Sequence, residues 1–202
     1  MASFNDQLDE FAPPTEMLTY TAVPLATCYN LYLTDVIGAP QNYLAWFELL
    51  RSVGSSDEVH IYINCIGGAA DTAMQLIQAM DECSARIIVH VEGYCMSAAT
   101  WVMLRADEVI LSDFCRILIH NYHGAKSGKG AEMFSSIKAE REWSQHVVRS
   151  IYKDFLTYEE IERVLEDHDE NMDSNEVRRR LALRDAKRLT TQKKVDKTEE
   201  VD

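Results

Sequence analysis

Long apolar runs are absent from this 202-residue chain. No stretch approaches the roughly 18 consecutive apolar residues of a membrane span, and the opening MASFNDQLDEFAPP has no basic segment followed by an apolar one. Neither a membrane helix nor a secretory leader is expected. Basic residues are also few: 20 Lys and Arg stand against 33 Asp and Glu, a formal charge of −13. Such a surface repels polyanions unless its cations gather on one face, so no nucleic-acid partner is expected. Cysteine is limited to Cys28, Cys65, Cys83, Cys95 and Cys115, an odd number with no C-x-x-C spacing, mostly inside apolar runs. That pattern predicts reduced core thiols in a cytosol-like compartment rather than a disulfide framework.

What is present suits one globular unit. The chain is 47% apolar and long enough for a single core but not for a second full domain. Residues 1–16 are polar, acidic and end in Pro13-Pro14, which reads as a loose arm. The domain is expected over 17–188, and the highly charged segment 189–202 reads as a disordered tail.

Within the domain, Leu18–Leu33 suggests one or two short strands, and Asn42–Val53 a helix. Val59–Cys65 is strand-like, Gly67-Gly68 makes a turn, and Thr72–Cys83 places Ala73, Leu76, Ile77 and Met80 on one helical face. The unit repeats: strand Arg86–Glu92, turn Gly93, short helix Ser97–Arg105, then strands Glu108–Leu111 and Arg116–His120. Alternation of this kind implies an α/β fold with a parallel sheet and right-handed crossovers. A long helix follows, at about 132–155, with a broken apolar stripe; Tyr158–Leu165 reads as a shorter helix and Glu166–Asp173 as an acidic turn.

Ser97 follows a strand and a turn glycine, a placement that can project a hydroxyl at the carboxyl edge of a sheet. A serine at a helix start is more often only an N-cap, so it needs partners. His120 ends a later strand at the same predicted edge, where a neutral imidazole could take the serine proton; His123 competes for that role. Gly67-Gly68 could bring bare backbone near the serine, with the Ala98 N–H as a second donor to an oxyanion, or it could be a tight turn alone. Cys95 is a conceivable thiol nucleophile, although a cysteine at a strand end is usually buried and inert. Asp167-His168-Asp169 has no second cluster to complete a coordination set, so no metal and no cofactor are expected.

The order of these features resembles a known family. IYINCIGGAADTAMQLIQAMDE resembles the I-N-S-P-G-G segment of the Clp protease proteolytic subunit family, ClpP. GYCMSAAT is similar to its G-x-x-x-S-M-G segment, ILIHNYHG to its M-I-H-Q-P-x-G segment, and DENMDSNEV to its D-x-x-M-S-x-x-E-A segment. The resemblance implies a crotonase-like fold, with Ser97 as nucleophile, His120 as base, Asp169 as orienting acid and the amides of Gly68 and Ala98 as oxyanion hole. Asp167 remains an alternative acid. It further implies a serine endopeptidase that degrades unfolded polypeptide as a homo-oligomer, a heptameric ring or double-ring tetradecamer, with an AAA+ unfoldase as partner. The long helix at 132–155 corresponds to the family's handle between rings, and His60 and Tyr62 to its unfoldase-docking surface.

Several positions depart from the pattern. Ile66 replaces the proline of S-P-G-G, Ala98 and Ala99 replace Met-Gly after the nucleophile, and VRRRLAL replaces the closing E-Y-G-L-I-D. Such divergence fits a phage-encoded or accessory copy acting in the host cytoplasm. A catalytically silent ring scaffold, a phage prohead-processing serine peptidase and a crotonase-type acyl-CoA enzyme remain alternatives at this stage.

Overall fold

The computed structural model describes residues 26–199; the expected arm at 1–16 lies outside them. Strand β1 (Cys28–Ile37) leads through a single 3-10 turn (Pro40–Tyr43) into helix α1 (Leu44–Ser52). There follow β2 (Glu58–Gly68), α2 (Ala70–Glu82), β3 (Arg86–Met96), α3 (Ala99–Arg105), β4 (Glu108–Leu111) and β5 (Arg116–Ile119). The chain continues through α4 (Gly130–Tyr152), α5 (Tyr158–Leu165), β6 (Glu170–Asp173) and α6 (Ser174–Glu199).

The six strands form one sheet in the order β1-β2-β3-β5-β6, with β4 pairing β3 off that path. All pairings are parallel except β5–β6, which is antiparallel. β6 occupies the acidic segment expected to be a turn. Its residues Glu-Asn-Met-Asp carry no strand signal, and the strand is held by its ladder to β5 and by burial of Met172. β3 is also longer than expected. It continues through Gly93, where a side chain would meet Asn64 Oδ1 at 2.5 Å, so strand and glycine coexist.

Periodicity decides what is buried. In β2 the alternating Val59, Ile61, Ile63 and Cys65 are each no more than 1% exposed. Burying an aliphatic side chain of this kind contributes about 1.5–3 kcal/mol. α2 covers the sheet with Ala73, Leu76, Ala79 and Met80 at helical spacing, and Thr72 Oγ1 donates to the Gly38 carbonyl at 2.7 Å, tying the helix to the end of β1.

Two long side chains seat α6. Arg184, 2% exposed, donates to the Leu104 carbonyl at 3.2 Å, and Arg188 donates to Leu104 and Ala106 carbonyls at 3.0 Å. Both satisfy carbonyls at the C-terminus of α3, where cations are favoured. α6 itself runs to Glu199, past residue 188, where the charge-rich sequence predicted the domain to end. The long helix α4 spans Gly130–Tyr152 rather than 132–155. Among the described residues, no helix is long and apolar enough to cross a membrane.

Candidate active site

Ser97 stands between the end of β3 and the start of α3 with φ of +53°, a left-handed conformation that a serine adopts only under constraint. The constraint is visible on three sides. Its N–H donates to the Leu118 carbonyl on β5 at 2.8 Å, and its own carbonyl accepts from Thr100 N at 2.9 Å and Thr100 Oγ1 at 2.6 Å. On the third side Gly67, with φ of +95°, lies so close that a Cβ there would meet the Ser97 Cβ at 2.6 Å and the Met96 carbonyl at 2.8 Å. The serine is therefore turned out of the strand by its neighbours, in the manner of a strained strand-to-helix elbow.

A chain of buried hydroxyls reinforces the turn. Because Thr100 Oγ1 donates to the Ser97 carbonyl, Tyr152 must supply the hydrogen in its 2.6 Å contact with Thr100 Oγ1. Tyr152 in turn accepts from Trp101 Nε1 at 2.9 Å. The relay Trp101 to Tyr152 to Thr100 to the Ser97 carbonyl anchors the elbow to α4. Burial pushes the Tyr152 phenol far above its ordinary value, so it stays a neutral donor.

Ser97 opens onto a cleft of about 510 Å³. Its walls include Gly68, Ala98 and His120, so four of the five residues expected at the site share one space. Trp101 and Trp143 give the cleft apolar walls, and Asp71 and Glu140 also line it. Glu140 is ion-paired with Lys126 at 2.8 Å.

His120 follows the last residue of β5, beside β3, whose last residue Met96 precedes Ser97. Its Nδ1 lies within a short hydrogen bond of the Asn121 carbonyl. A carbonyl only accepts, so Nδ1 carries the hydrogen, and Nε2 of the neutral ring is left as the basic nitrogen. His123, the competing histidine, stacks on His120 with centroids 4.6 Å apart. The Ser97 hydroxyl makes no hydrogen bond among the described residues.

Asp169 does not bond to His120. The register of β5 and β6 pairs Ile119 with Glu170, and one further step sets His120 opposite Asp169. The Asp169 side chain is exposed and outside the cleft lining. Asp167, the alternative acid, has φ of +66° and accepts from Asn121 Nδ2 at 2.9 Å. Neither aspartate touches the imidazole.

Cys95 is excluded as a nucleophile by its surroundings. It is fully buried, and desolvation, with the neighbouring Cys65 and Cys115, pushes its thiol well above the ordinary value. All five cysteines are unpaired. Among the described residues, no group of three or more His, Cys, Asp and Glu side chains could hold a metal ion.

Asn121, which immediately follows the histidine, was not singled out in the sequence, whereas Gly67 was expected, together with Gly68, to bring bare backbone near the serine and is the residue packed on it. An asparagine directly after a strand-end histidine was the available signal for the first.

A family model described as Clp protease matches residues 39–179, well over half of the chain. Comparison with curated proteins finds no match. The matched segment runs from the residue before the 3-10 turn into the first turns of α6, and it contains the elbow, the cleft and the antiparallel β5–β6 pair. The chain belongs to the Clp protease family and has its ClpP-type α/β fold.

Proposed function

We propose that this Clp-family chain is a serine endopeptidase, with Ser97 as nucleophile, His120 as base, Asp169 as orienting acid, and the Gly68 and Ala98 amides as oxyanion donors. The observation that carries the reading is the shared cleft: an outward-turned serine, a histidine whose Nε2 is the basic nitrogen, and two stretches of bare backbone line it together.

The chemistry follows from those positions. Nε2 of His120 takes the Ser97 proton as Oγ attacks the peptide carbonyl carbon, and the oxygen that becomes negative is met by the two backbone N–H groups. The C–N bond then breaks, His120 returns the proton to the leaving amine, and the acyl chain remains on Ser97. Water, deprotonated by the same histidine, releases the acid and restores the serine. The apolar cleft walls suit unfolded polypeptide.

The chain acts as a subunit of a ring, a heptamer or a stacked tetradecamer, that receives polypeptide from an AAA+ unfoldase in the cytoplasm, a phage-encoded copy acting in the host. The subunit itself uses no ATP; dependence on ATP enters through that partner. Support for assembly comes from α4, whose Phe134 and Ile137 are 72% and 51% exposed, apolar surface that a neighbouring subunit would cover.

A second reading, a silent ring scaffold, is favoured by one observation: His120 is bonded to neither Ser97 nor Asp169. Labelling with a fluorophosphonate probe, read by intact mass on wild type and Ser97→Ala, separates the two. One adduct on the wild type that is lost in the variant is expected; no adduct on the assembled wild type establishes the scaffold.

A further inference from the structure

Two carboxylates line the cleft at Ser97, Asp71 and Glu140, and among the described residues no Lys or Arg lines it. The two are not equivalent. Glu140 is neutralised by Lys126, 2.8 Å away. Asp71 accepts on Oδ1 from the N–H of Thr72, its own chain neighbour, at 2.9 Å. Among the described residues its carboxylate makes no ion pair and no other hydrogen bond, and the residue is exposed.

The chain fixes where this charge stands. Asp71 is the second residue of α2, three residues beyond Gly68, whose amide is the proposed oxyanion donor. Three residues of chain span at most about 10 Å, so a substrate carbonyl held at Gly68 has Asp71 within the reach of one long side chain.

The remaining wall suits the stem of such a side chain. Trp101, Trp143, Val147 and Val148 supply apolar surface. Lys and Arg lay their methylenes along surface of this kind while the charged head stays at a polar edge, and an indole face itself attracts a cation. An apolar substrate side chain leaves Asp71 without a partner, and an acidic one meets repulsion from a chain whose formal charge is −13.

We infer that Asp71 is a specificity-determining residue of the cleft, selecting polypeptides that carry a Lys or Arg side chain beside the bond that Ser97 cuts. This rests on the serine peptidase reading for what is cut; the preference of the cleft for a cation does not.

The test measures binding apart from chemistry. Dye-labelled unfolded peptides, identical except for a central Lys, norleucine or Glu, are titrated by fluorescence anisotropy against the full chain carrying Ser97→Gly, a residue that suits the left-handed backbone at this position. The Lys peptide is expected to bind about fivefold tighter than the norleucine peptide, with the Glu peptide weakest. The gap should shrink as salt rises from about 0.05 to 0.5 M.

Adding Asp71→Asn should bring the Lys and norleucine affinities together, Asp71→Glu should keep them apart, and Asp71→Lys should put the Glu peptide ahead of the Lys peptide. A merely structural role at the start of α2 would shift all three peptides alike and leave their ratio unmoved. Equal affinities in the parent, no binding of any peptide, or a preference that survives Asp71→Asn overturns the inference, and so does a preference lost in Glu140→Gln alone. Fluorophosphonate labelling of the wild type is read beside it: a cation preference in a chain that takes no probe counts against the Ser97 reading alone.

Discussion

Gly67 and Ser97 are in contact so close that no side chain fits between them: a Cβ on the glycine would stand 2.6 Å from the serine Cβ. The β2–α2 turn is therefore part of the mould that shapes the nucleophile elbow. Gly67→Ala meets both this clash and an unfavourable φ of +95°. It should cost about 1–3 kcal/mol in urea unfolding and lower the fluorophosphonate labelling rate at least tenfold. An alanine variant that labels at the wild-type rate would show that the elbow forms without this contact.

The two candidate acids should separate by kinetics. With Asp169 across the register from His120, Asp169→Asn is expected to lower peptidase kcat on the order of 10²–10⁴-fold, as loss of an orienting carboxylate does in triads. Asp167→Asn keeps a polar partner for Asn121 and should cost less than tenfold. The reverse ranking would move the acid role to Asp167.

Tyr152→Phe removes the middle of the relay from Trp101 to the Ser97 carbonyl. It leaves the indole N–H without its partner and should destabilise the chain by about 1–3 kcal/mol, read as a shift in the urea midpoint at unchanged slope. The labelling rate reports whether Thr100 alone holds the elbow.

Acid sensitivity should come from the α5–α6 contact. Hydrogen bonds from Arg180 hold Glu160 down at about 2, and those from Arg179 and Arg180 hold Glu176 at about 2, against an ordinary 4.5. Folded values below unfolded ones mean stability that is complete above about pH 4.5 and lost as pH falls toward 2. Urea midpoints should therefore decline across that window. Glu160→Gln should flatten the decline, and a wild-type midpoint constant from pH 5 to 3 would refute the assignment.

Thiol reactivity should follow burial. Exposed Cys28 is expected to react with maleimide in the native protein, while Cys95 and Cys65 react only after unfolding. Native modification of Cys95 would reopen it as a nucleophile.

The β-turn-α units around Gly67-Gly68 and Ser97 were legible because strand alternation, glycine and helical spacing coincide there. Their bounds moved by a few residues, since ladders extend strands beyond their apolar cores, as β3 does through Gly93. β6 was not legible: Glu170–Asp173 is polar, and only its partner β5 makes it a strand. The helical run of α6 to Glu199 was missed for the opposite reason, because charge was weighed above the high helix propensity of Ala, Leu, Lys, Arg and Glu. Ser97, His120, Gly68 and Ala98 share the cleft that their order in the sequence suggested. Asn121 escaped notice because its side chain bonds to Ser144 and Asp167, 23 and 46 residues away, a proximity no local pattern encodes.

Strand β3 registers with β2 along one side, and on the other with β4 over Ile88–Val91 and with β5 over Tyr94–Met96. Ser97 hangs from the end of this thrice-braced strand, whereas the opposite wall of the cleft, α4, has no ladder at all. The two sides of the cleft are thus held by different means: backbone ladders fix the strand that carries the nucleophile, while the helix is fixed by side chains alone, Tyr152 on Thr100 and Ser144 on Asn121.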